Sequence, residues 1–292
     1  MEGVESTHNT KTKKRLQLCF FKSILIYKKT KILFIMTTYK TCIFTNDTCI
    51  FTNDNNIRIR LIDHPTTSTF ISRHNNESIF RKITTYLINN KFIHGNIIDS
   101  GAWIGDNSIP WAMNCSPNII YAIDPSPNNI NFIKEMIKAN NIQNLKTIEK
   151  ALNNKNEILG TNDNIDHCSF KNGGRTKIES ISLDYLYQEK EIDNISYIHL
   201  DVEGLEFNVI KGSEKIIEKF KPIIAFEQHT EIDNYIELSQ YLKKYEYDIY
   251  LIDEISGCRK DCRNFLAFPK NIKIDIEKIN NHINKKVLSK II

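Results

Sequence analysis

The sequence predicts a doubly wound, Rossmann-like α/β fold with a mostly parallel sheet and an antiparallel pair at its edge. Three observations support this prediction. Short apolar runs alternate with segments of helical periodicity, as in a parallel sheet covered by helices. One early apolar run ends in an acid and a glycine turn, which is typical of a ligand site at a strand end. The last two apolar runs follow each other without an intervening helical pattern.

The predicted elements alternate along the chain from residue 57 onward. Strands are predicted where short apolar or alternating runs occur, at 57–62, 96–99, 119–124, 145–148, 197–201, 223–227, 248–252 and 264–268. Helices are predicted where apolar side chains recur every three or four residues, at 77–89, 128–140, 207–220 and 235–245. Residues 153–178 contain Gly173-Gly174 and predict a long loop that lies over the acceptor.

The sequence predicts that residues 1–56 form a separate, poorly structured extension and that residues 57–292 form the folded domain. Within the extension, the heptapeptide Thr-Cys-Ile-Phe-Thr-Asn-Asp occupies 41–47 and recurs at 48–54. An apolar cluster followed by Asn-Asp predicts two short strands joined by a turn. Two copies are too few for a solenoid, so we interpret the repeat as a local duplication.

The distribution of charge argues against a nucleic acid partner. Residues 1–60 contain 11 Lys/Arg and 4 Asp/Glu, whereas the other residues contain 28 and 31. The body of the protein therefore lacks the excess positive charge that a phosphate backbone requires.

Apolar patterning and cysteine usage predict the compartment. The apolar stretch 16–36 is interrupted by four lysines, so we expect no membrane span, and an amphipathic surface segment is the alternative. The seven cysteines are odd in number and scattered, unlike a disulfide framework. These features predict a reducing, cytoplasmic setting.

A strand followed by a glycine turn, residues 97–106, predicts a nucleotide cofactor site. Gly101 permits a tight turn, and Gly105 lets the next helix approach the strand. The following strand ends at Asp124, where an acid is placed to accept hydrogen bonds from ribose hydroxyls. A simple strand-to-helix turn flanked by surface acids is the alternative interpretation.

Trp103 indicates which nucleotide cofactor fits. A dinucleotide fingerprint needs glycine at this position so that the backbone can meet the pyrophosphate. S-adenosylmethionine has no phosphate, so the bulk of Trp103 is compatible with it. Its amino-acid part would lie against Asp99 and the Gly101 turn.

Several blocks then resemble the FkbM family of methyltransferases, over roughly residues 75–270. They are Tyr-Ala-Ile-Asp-Pro-Ser-Pro-Asn at 121–128, Ser-Leu-Asp at 182–184, His-Leu-Asp-Val-Glu-Gly-Leu-Glu at 199–206, Val-Ile-Lys-Gly at 209–212 and Lys-Pro-Ile-Ile-Ala-Phe-Glu at 221–227. This resemblance implies a class I methyltransferase fold, S-adenosylmethionine as the donor, and O-methylation of a hydroxyl, often on a sugar or a secondary metabolite. Two positions depart from the family: Asp124 replaces the usual Glu, and Trp103 replaces the usual Asn.

The candidate cofactor contacts lie in the turn, after the second strand and after the third. They are Asp99, Gly101, Ala102, Gly105, Asp124, Pro125 and Ala151. The expected partner is a small-molecule or carbohydrate acceptor, and the sequence does not predict an oligomeric state. Two other functions stay open, namely a catalytically inactive cofactor-binding relative and an NAD-dependent oxidoreductase, which Trp103 disfavours.

Asp201, Glu227 and His229 are the candidate catalytic residues. Methyl transfer to a hydroxyl benefits from a base that takes its proton, and these side chains follow two predicted strands. His229 could equally be a solvated loop residue, and Glu203 and Glu206 could be charges that match a helix dipole.

No metal is predicted at this site. Asp201, Glu203 and Glu227 could form an oxygen site for Mg²⁺, but nothing in their spacing requires one. Cys258 and Cys262 resemble half of a zinc site, and a turn flanked by two cysteines is the simpler interpretation.

Overall fold

The computed structural model describes residues 35–37, 40–42, 44–45, 48–74, 76–162, 174–231, 233–255 and 260–292. Its strands are β1 (Ile35–Thr37), β2 (Lys40–Cys42), β3 (Phe44–Thr45), β4 (Thr48–Thr52), β5 (Arg58–Ile62), β6 (Asn96–Ser100), β7 (Ile120–Ile123), β8 (Leu145–Ile148), β9 (Ala151–Leu152), β10 (Glu157–Thr161), β11 (Thr176–Ile181), β12 (Ile195–Leu200), β13 (Ile223–His229), β14 (Tyr247–Ile255), β15 (Cys262–Pro269) and β16 (Leu288–Lys290). Its helices are α1 (Thr67–Arg73), α2 (Ser78–Asn89), α3 (Ser108–Asn114), α4 (Pro127–Asn140), α5 (Leu183–Gln188), α6 (Glu206–Lys211), α7 (Glu214–Phe220), α8 (Tyr235–Lys244) and α9 (Ile276–Ile283).

An eight-stranded sheet forms the centre of the fold, in the order β16-β14-β15-β13-β12-β6-β7-β8. The strands from β13 to β8 run parallel, and β15 is antiparallel to both β13 and β14. This arrangement confirms the predicted doubly wound sheet with its antiparallel pair, while β16 adds the outermost strand. The winding direction reverses between β6 and β12, so the carboxyl ends of these two strands form the switch point where such sheets bind ligands.

Hydrophobic side chains cover both faces of the sheet. On the first face, Ile97, Tyr197 and Ala225 belong to a buried cluster shared with α1, α2, α3, α4 and α9. On the second face, Ile98 and Ile198 belong to a cluster shared with α5, α6, α7 and α8. Because side chains alternate along a strand, polar residues two or four positions after Ile97, Tyr197 or Ala225 lie on the first face, at the carboxyl edge of the sheet.

The helix predicted over 207–220 is two helices in the structure, α6 and α7. The chain turns at Gly212, where an added Cβ would lie 2.4 Å from the carbonyl oxygen of Asn153. The carboxylate of Asp184 then accepts the backbone N–H groups of Lys215 and Ile216, at 3.1 and 3.2 Å, and caps α7. Apolar periodicity continues through the break because both helices pack on the second face.

The prediction of a long loop over 153–178 is wrong in part. β10 and β11 form an antiparallel pair there, and β9 joins β11 in a small three-stranded sheet. The alternating pattern of these short strands was weak because β10 is largely exposed on one side. Residues 163–173, which include His167, Cys168, Ser169 and Lys171, lie outside the described residues.

The heptapeptide repeat forms strands, as predicted. Phe44 pairs with Cys49 across the antiparallel β3–β4 pair, and β4 pairs along its length with β5. In the second copy, Cys49 and Phe51 are buried in the same hydrophobic cluster as α1 and α2. The domain boundary at 56/57 stays a prediction, but the second copy packs against the body of the protein.

Cys49 is disulfide-bonded, which the sequence analysis did not predict, and Cys115 and Cys262 are free thiols. Disulfides are rare in reducing compartments, so this bond argues against the predicted reducing setting. The cytoplasmic location stays a prediction. Among the described residues, no helix combines the length and the apolar character needed to cross a membrane.

Candidate active site

The turn after β6 lies against the end of β12. Gly101 has a φ of +73°, and an added Cβ would lie 1.7 Å from the carbonyl oxygen of Asp201. Gly105 has a φ of +72°, and an added Cβ there would lie 3.0 Å from the side chain of Ile133 and 3.1 Å from that of Ile109. Both glycines are therefore required by close packing, and Gly105 has the helix-approach role that the sequence predicted.

Trp103 lies within this turn in a left-handed conformation, with a φ of +45°. Its backbone N–H donates a hydrogen bond of 2.8 Å to Oδ2 of Asp124. The guanidinium carbon of Arg73 lies 5.4 Å from the centroid of its ring, a distance typical of a cation–π contact. The indole therefore shapes the turn from the outside while its backbone orients the acid of the next strand.

Asp124 follows β7, and N–H donors fix its carboxylate on both oxygens. Besides Trp103, the backbone N–H of Ser126 donates at 2.9 Å and the amide of Asn129 donates at 3.0 Å, both to Oδ1. Ser126 also caps α4, and Pro125 between them is half-buried. The structure thus places an oriented acid at the strand end where ribose hydroxyls are bound in such folds.

Asp99 lies deeper than the sequence analysis expected. It is 1% exposed, its Oδ1 lies 2.8 Å from Nδ1 of His199, and its Oδ2 accepts the hydroxyl of Ser108. The His199 ring stacks on Phe80, with centroids 5.1 Å apart. The geometry does not support a direct contact between Asp99 and the cofactor, because its carboxylate is used inside the protein.

The carboxyl groups of Asp201 and Glu227 form a hydrogen-bonded pair. Leu200 pairs with Phe226 in the parallel register of β12 and β13, so the next residue of each strand meets at the same level. Asp201 is half-buried and Glu227 is buried. The structure therefore brings together two of the three candidate catalytic residues, at the strand ends beside the Gly101 turn.

Two carboxyl groups in hydrogen-bond contact share a proton, since one of them must donate. Burial raises the pKa of Asp201 well above its ordinary value, and the neighbouring charge of Glu227 raises it further. Burial also raises the pKa of Glu227, against the lowering effect of the Asp201 hydrogen bond. The thiol of Cys262 donates a hydrogen bond to Oε1 of Glu227. The carboxyl group of Glu227 therefore has two hydrogen-bond partners, Cys262 and Asp201.

A buried ion-pair network from α1 and α2 lies next to this pair. Arg73 contacts Glu77 at 2.7 Å, and Arg81 contacts Asp106 at 2.7 Å. Burial alone would raise the pKa of Asp106, but the charges of Arg81 and Arg73 lower it below its ordinary value. Burial alone would lower the pKa of Arg73, but the charges of its acidic neighbours, among them Asp201, raise it. Arg73 thus contacts the indole of the turn, and its charge also acts on Asp201.

The turn after Asp201 is held by Glu206 at the start of α6. Its Oε1 accepts the backbone N–H groups of Val202 at 2.9 Å and Gly204 at 3.3 Å, and its Oε2 accepts the amide of Gln228 at 3.0 Å. Burial raises the pKa of Glu206 to about 8, against the lowering effect of these backbone donors. Glu206 has a structural role in this turn, whereas Glu203 is exposed with a φ of +52°.

His229, the third candidate catalytic residue, ends β13 and interacts with Asp233. Its backbone N–H donates to Oδ2 of Asp233 at 2.6 Å, and its Nδ1 lies 3.5 Å from the same oxygen. It shares the first face with Glu227, two residues earlier on the strand. Among the described residues, no hydrogen bond or ion pair joins His229 to the carboxyl pair, so its catalytic role stays a prediction.

Two candidate cofactor contacts are buried small residues. Ala102 is 2% exposed, and its backbone N–H donates to the carbonyl of Ile123 at 3.1 Å, which anchors the turn to β7. Ala151 lies in β9 and packs with Ile178 beneath the small sheet. Contacts of either residue with a cofactor stay predictions.

The ion-pair network was not predicted from the sequence. Arg73, Glu77 and Arg81 are spaced by four residues, which is a helical spacing. In the structure α1 ends at Arg73 and Glu77 precedes α2 with a φ of +53°, so the contact of Arg73 with Glu77 depends on the turn between the two helices. Within the described ranges, no cluster of three or more His, Cys, Asp or Glu side chains could hold a metal ion. Cys258 lies outside these ranges, and Cys262 contacts Glu227.

Comparison with known proteins connects this site to a family. The family model described as "Methyltransferase FkbM domain" matches residues 99–249, which include the glycine turn, Asp124, Asp201 and Glu227. The comparison with curated proteins gave no match.

Solved structures of several methyltransferases are similar in fold. Methyltransferase FkbM from Methylobacillus flagellatus KT is 16% identical with a TM-score of 0.46, and the match covers 60% of this chain and 43% of that protein. The O-methyltransferase from Bacillus cereus, in complex with SAH, is 11% identical with a TM-score of 0.42, over 65% of this chain and 80% of that one. Precorrin-6y C5,15-methyltransferase from Geobacter metallireducens GS-15 is 12% identical with a TM-score of 0.39, over 64% and 87%. The chain thus spans less than half of the Methylobacillus protein.

Proposed function

Because the chain belongs to the FkbM methyltransferase family, we propose that it transfers a methyl group from S-adenosylmethionine to a hydroxyl group on a sugar or another small metabolite. The observation that carries this proposal is the hydrogen-bonded pair of Asp201 and Glu227, at the strand ends beside the Gly101 turn. Such a pair can take a proton from a hydroxyl group at the position where the fold binds its ligands.

The residues present fit S-adenosylmethionine. Asp124 offers an oriented carboxylate for the ribose, held by three N–H donors. Trp103 occupies the turn position where a pyrophosphate would need glycine, and S-adenosylmethionine has no phosphate. The carboxylate of Asp124 and the remaining negative charge of the Asp201–Glu227 pair complement the positive charge of a sulfonium.

When bound, S-adenosylmethionine supplies an electrophilic methyl group on a positively charged sulfur. Asp124 would hold its ribose, and methyl transfer to the acceptor oxygen would leave the electron pair of the broken carbon–sulfur bond on sulfur. Glu227, whose Oε1 accepts the hydrogen bond of Cys262, takes the proton that the acceptor hydroxyl loses. Asp201 positions Glu227 through the hydrogen bond between the two carboxyl groups.

Positioning contributes the larger part of the rate enhancement in such a reaction. Holding the two reactants in line can supply on the order of 7 kcal/mol or more, compared with about 10²- to 10⁴-fold from a base. The ion pairs of Arg73 and Arg81 with Glu77 and Asp106 make the wall of this site rigid. A rigid wall keeps the acceptor aligned and excludes water from the carboxyl pair.

Calorimetric titration of the full chain with S-adenosylmethionine and S-adenosylhomocysteine tests the donor. We expect micromolar binding, which Asp124→Ala abolishes and the exposed control Lys134→Ala preserves. Transfer of a radiolabelled methyl group to a panel of hydroxylated acceptors then tests O-methylation. A folded protein that binds neither nucleotide would overturn the proposal, and transfer to nitrogen or carbon acceptors alone would overturn its O-methyl part.

A further inference from the structure

A cavity of about 410 Å³ lies on the outer side of the cofactor turn. Its walls are Trp103 and Ile104 of the turn, the first two turns of α4, and the segment that leads into α1. We call it the Trp103 cavity. Its volume falls in the range of roughly 300–1,000 Å³ that is usual for small-molecule sites.

The lining of the Trp103 cavity is mostly polar and nearly uncharged. Thr66 and Thr69 contribute hydroxyls from the α1 side, and Asn128 and Asn131 contribute amides from α4. Glu135 is the formal negative charge of this lining. Amides and hydroxyls both donate and accept hydrogen bonds, so the walls suit a ligand whose groups also do both.

Aromatic rings give the cavity its apolar surface. Trp103 is half-buried and turns part of its indole to the cavity. The rings of His64 and Phe132, which also line the cavity, pack with centroids 5.1 Å apart. A flat aromatic surface beside a polar rim accommodates a ring that has C–H faces and hydroxyls around its edge.

We propose that the Trp103 cavity binds a neutral sugar ring of the methyl acceptor, stacked on the Trp103 indole. An anionic ligand would meet the negative charge of Glu135, and an apolar ligand would remove the polar side chains of Thr66, Thr69 and Asn131 from water, which is unfavourable. A pyranose avoids both costs. Its hydroxyls reach the side chains of Asn131 and Glu135, which lie on the same face of α4.

The cavity adjoins the reaction site through two contacts of Trp103, so the inference rests on the proposed function. Its backbone N–H holds Asp124, and its indole contacts Arg73. Arg73 in turn interacts with Glu77 and Asp106 and with the charge of Asp201. A sugar bound in the cavity therefore lies one side chain away from the ion-pair wall of the carboxyl pair, as a substituent of the acceptor would.

The two tryptophans of the chain give a direct readout, because Trp111 is buried in the core while Trp103 lines the cavity. The full chain is labelled with 5-fluorotryptophan, and Trp111→Phe assigns the two ¹⁹F resonances. Methyl glucoside, methyl mannoside and methyl rhamnoside are then titrated in the presence of S-adenosylhomocysteine. We expect at least one glycoside to shift the Trp103 resonance saturably at millimolar concentration and to leave the Trp111 resonance in place.

Variants on α4 separate binding in the cavity from an effect on the cofactor turn. Asn131→Ala and Glu135→Ala lie outside the turn and should weaken glycoside binding about fivefold or more, as loss of a hydrogen bond would. Lys134→Ala, on the same helix but outside the lining, is the matched control and should change affinity by less than about twofold. An unsaturable shift, or equal affinity in all three variants, overturns the inference.

The failure of this inference is distinguishable from failure of the proposed function. If S-adenosylhomocysteine binds and no glycoside shifts Trp103, the methyltransferase proposal stands and the sugar site is wrong. If a glycoside binds with the expected variant pattern while neither nucleotide binds, the cavity is a sugar site and the donor proposal is wrong.

Discussion

Oδ1 of Asp99 and Nδ1 of His199 lie 2.8 Å apart on neighbouring parallel strands, and both side chains are buried. Burial alone would lower the pKa of His199, but the hydrogen bond and charge of Asp99 raise it. Asp99, near the end of β6, is thus a structural partner of His199 in β12. It fixes the register of β6 and β12 just below the candidate active site.

Asp99→Asn should destabilise the protein by about 1–3 kcal/mol, because a charged hydrogen bond is lost inside the core. The effect should depend on pH. A histidine with a raised folded-state pKa contributes stability that is fully present below its ordinary pKa of about 6.5 and is lost as pH rises through the folded value. Urea unfolding of wild type and variant at pH 5.5 and 8.5 measures this. An equal difference at both pH values would contradict the assignment of the charge to His199.

Glu227→Gln should lower kcat by about 10²- to 10⁴-fold while leaving the affinity for S-adenosylhomocysteine unchanged, because it removes the proton acceptor and not the cofactor contacts. Since burial raises the pKa of both carboxyl groups of the pair, the wild-type rate should rise with pH until the pair carries its charge. Initial rates from pH 5 to 9 test this. A variant with the same rate and pH profile as wild type would exclude Glu227 as the base.

Asp201→Asn should make the protein more stable at high pH and less active. A carboxyl group whose folded-state pKa is raised contributes stability at low pH that is lost as pH rises, and a neutral amide does not undergo this loss. The thermal midpoint of the variant should therefore exceed that of wild type at pH 8.5 and approach it at pH 4.5. A variant less stable than wild type at both pH values would show that the ionised pair stabilises the fold.

Gly101→Ala and Gly204→Ala form a matched pair, since both glycines have positive φ. At Gly101 the added Cβ would also meet the backbone of Asp201 at 1.7 Å, whereas at Gly204 nothing lies within 4 Å. Gly204→Ala should therefore cost roughly 1–3 kcal/mol from backbone strain. Gly101→Ala should cost about 4 kcal/mol or more, or prevent folding. Equal costs in denaturant unfolding would contradict the close approach of the two strands.

Glu206→Gln should remove part of the pH dependence of stability. Burial raises the pKa of Glu206 to about 8 from an ordinary 4.5, so wild type should lose stability as pH rises between these values. The amide keeps one oxygen to accept the N–H groups of Val202 and Gly204, whereas Glu206→Ala leaves both without this acceptor. The alanine variant should lose about 1–3 kcal/mol more than the glutamine variant in chemical denaturation.

The sequence predicted the sheet well because its strands are buried on both faces and bear strong patterns. The runs 145–148 and 197–201 correspond to β8 and β12 within two residues. The strand-end rule also placed Asp201 and Glu227 at the same edge of the sheet, since parallel strands that pair in the centre end at one edge, while their catalytic roles stay predictions. The local sequence pattern was sufficient to predict the location of those residues whose position in the fold is set by their position along a strand.

Long-range pairing was not predictable in the same way. Asp99 is a strand-end acid by its position, and only the three-dimensional structure shows that His199 and Ser108 occupy its oxygens. The cluster of Arg73 and Asp106 joins segments whose packing depends on how α1 folds over the sheet. Likewise β10 and β11 are short and partly exposed, so neither has the continuous apolar run that reveals a buried strand.

Either copy of the duplicated heptapeptide has the sequence that pairs with β5 as its neighbouring strand. The second copy forms this neighbouring strand, β4, while the first copy contributes β3 on the far side of β4. The copies are identical, so a slip of seven residues presents the same side chains to the same faces. Loss of either copy as a unit of seven therefore leaves one Thr-Cys-Ile-Phe-Thr-Asn-Asp segment with the residues that pair with β5.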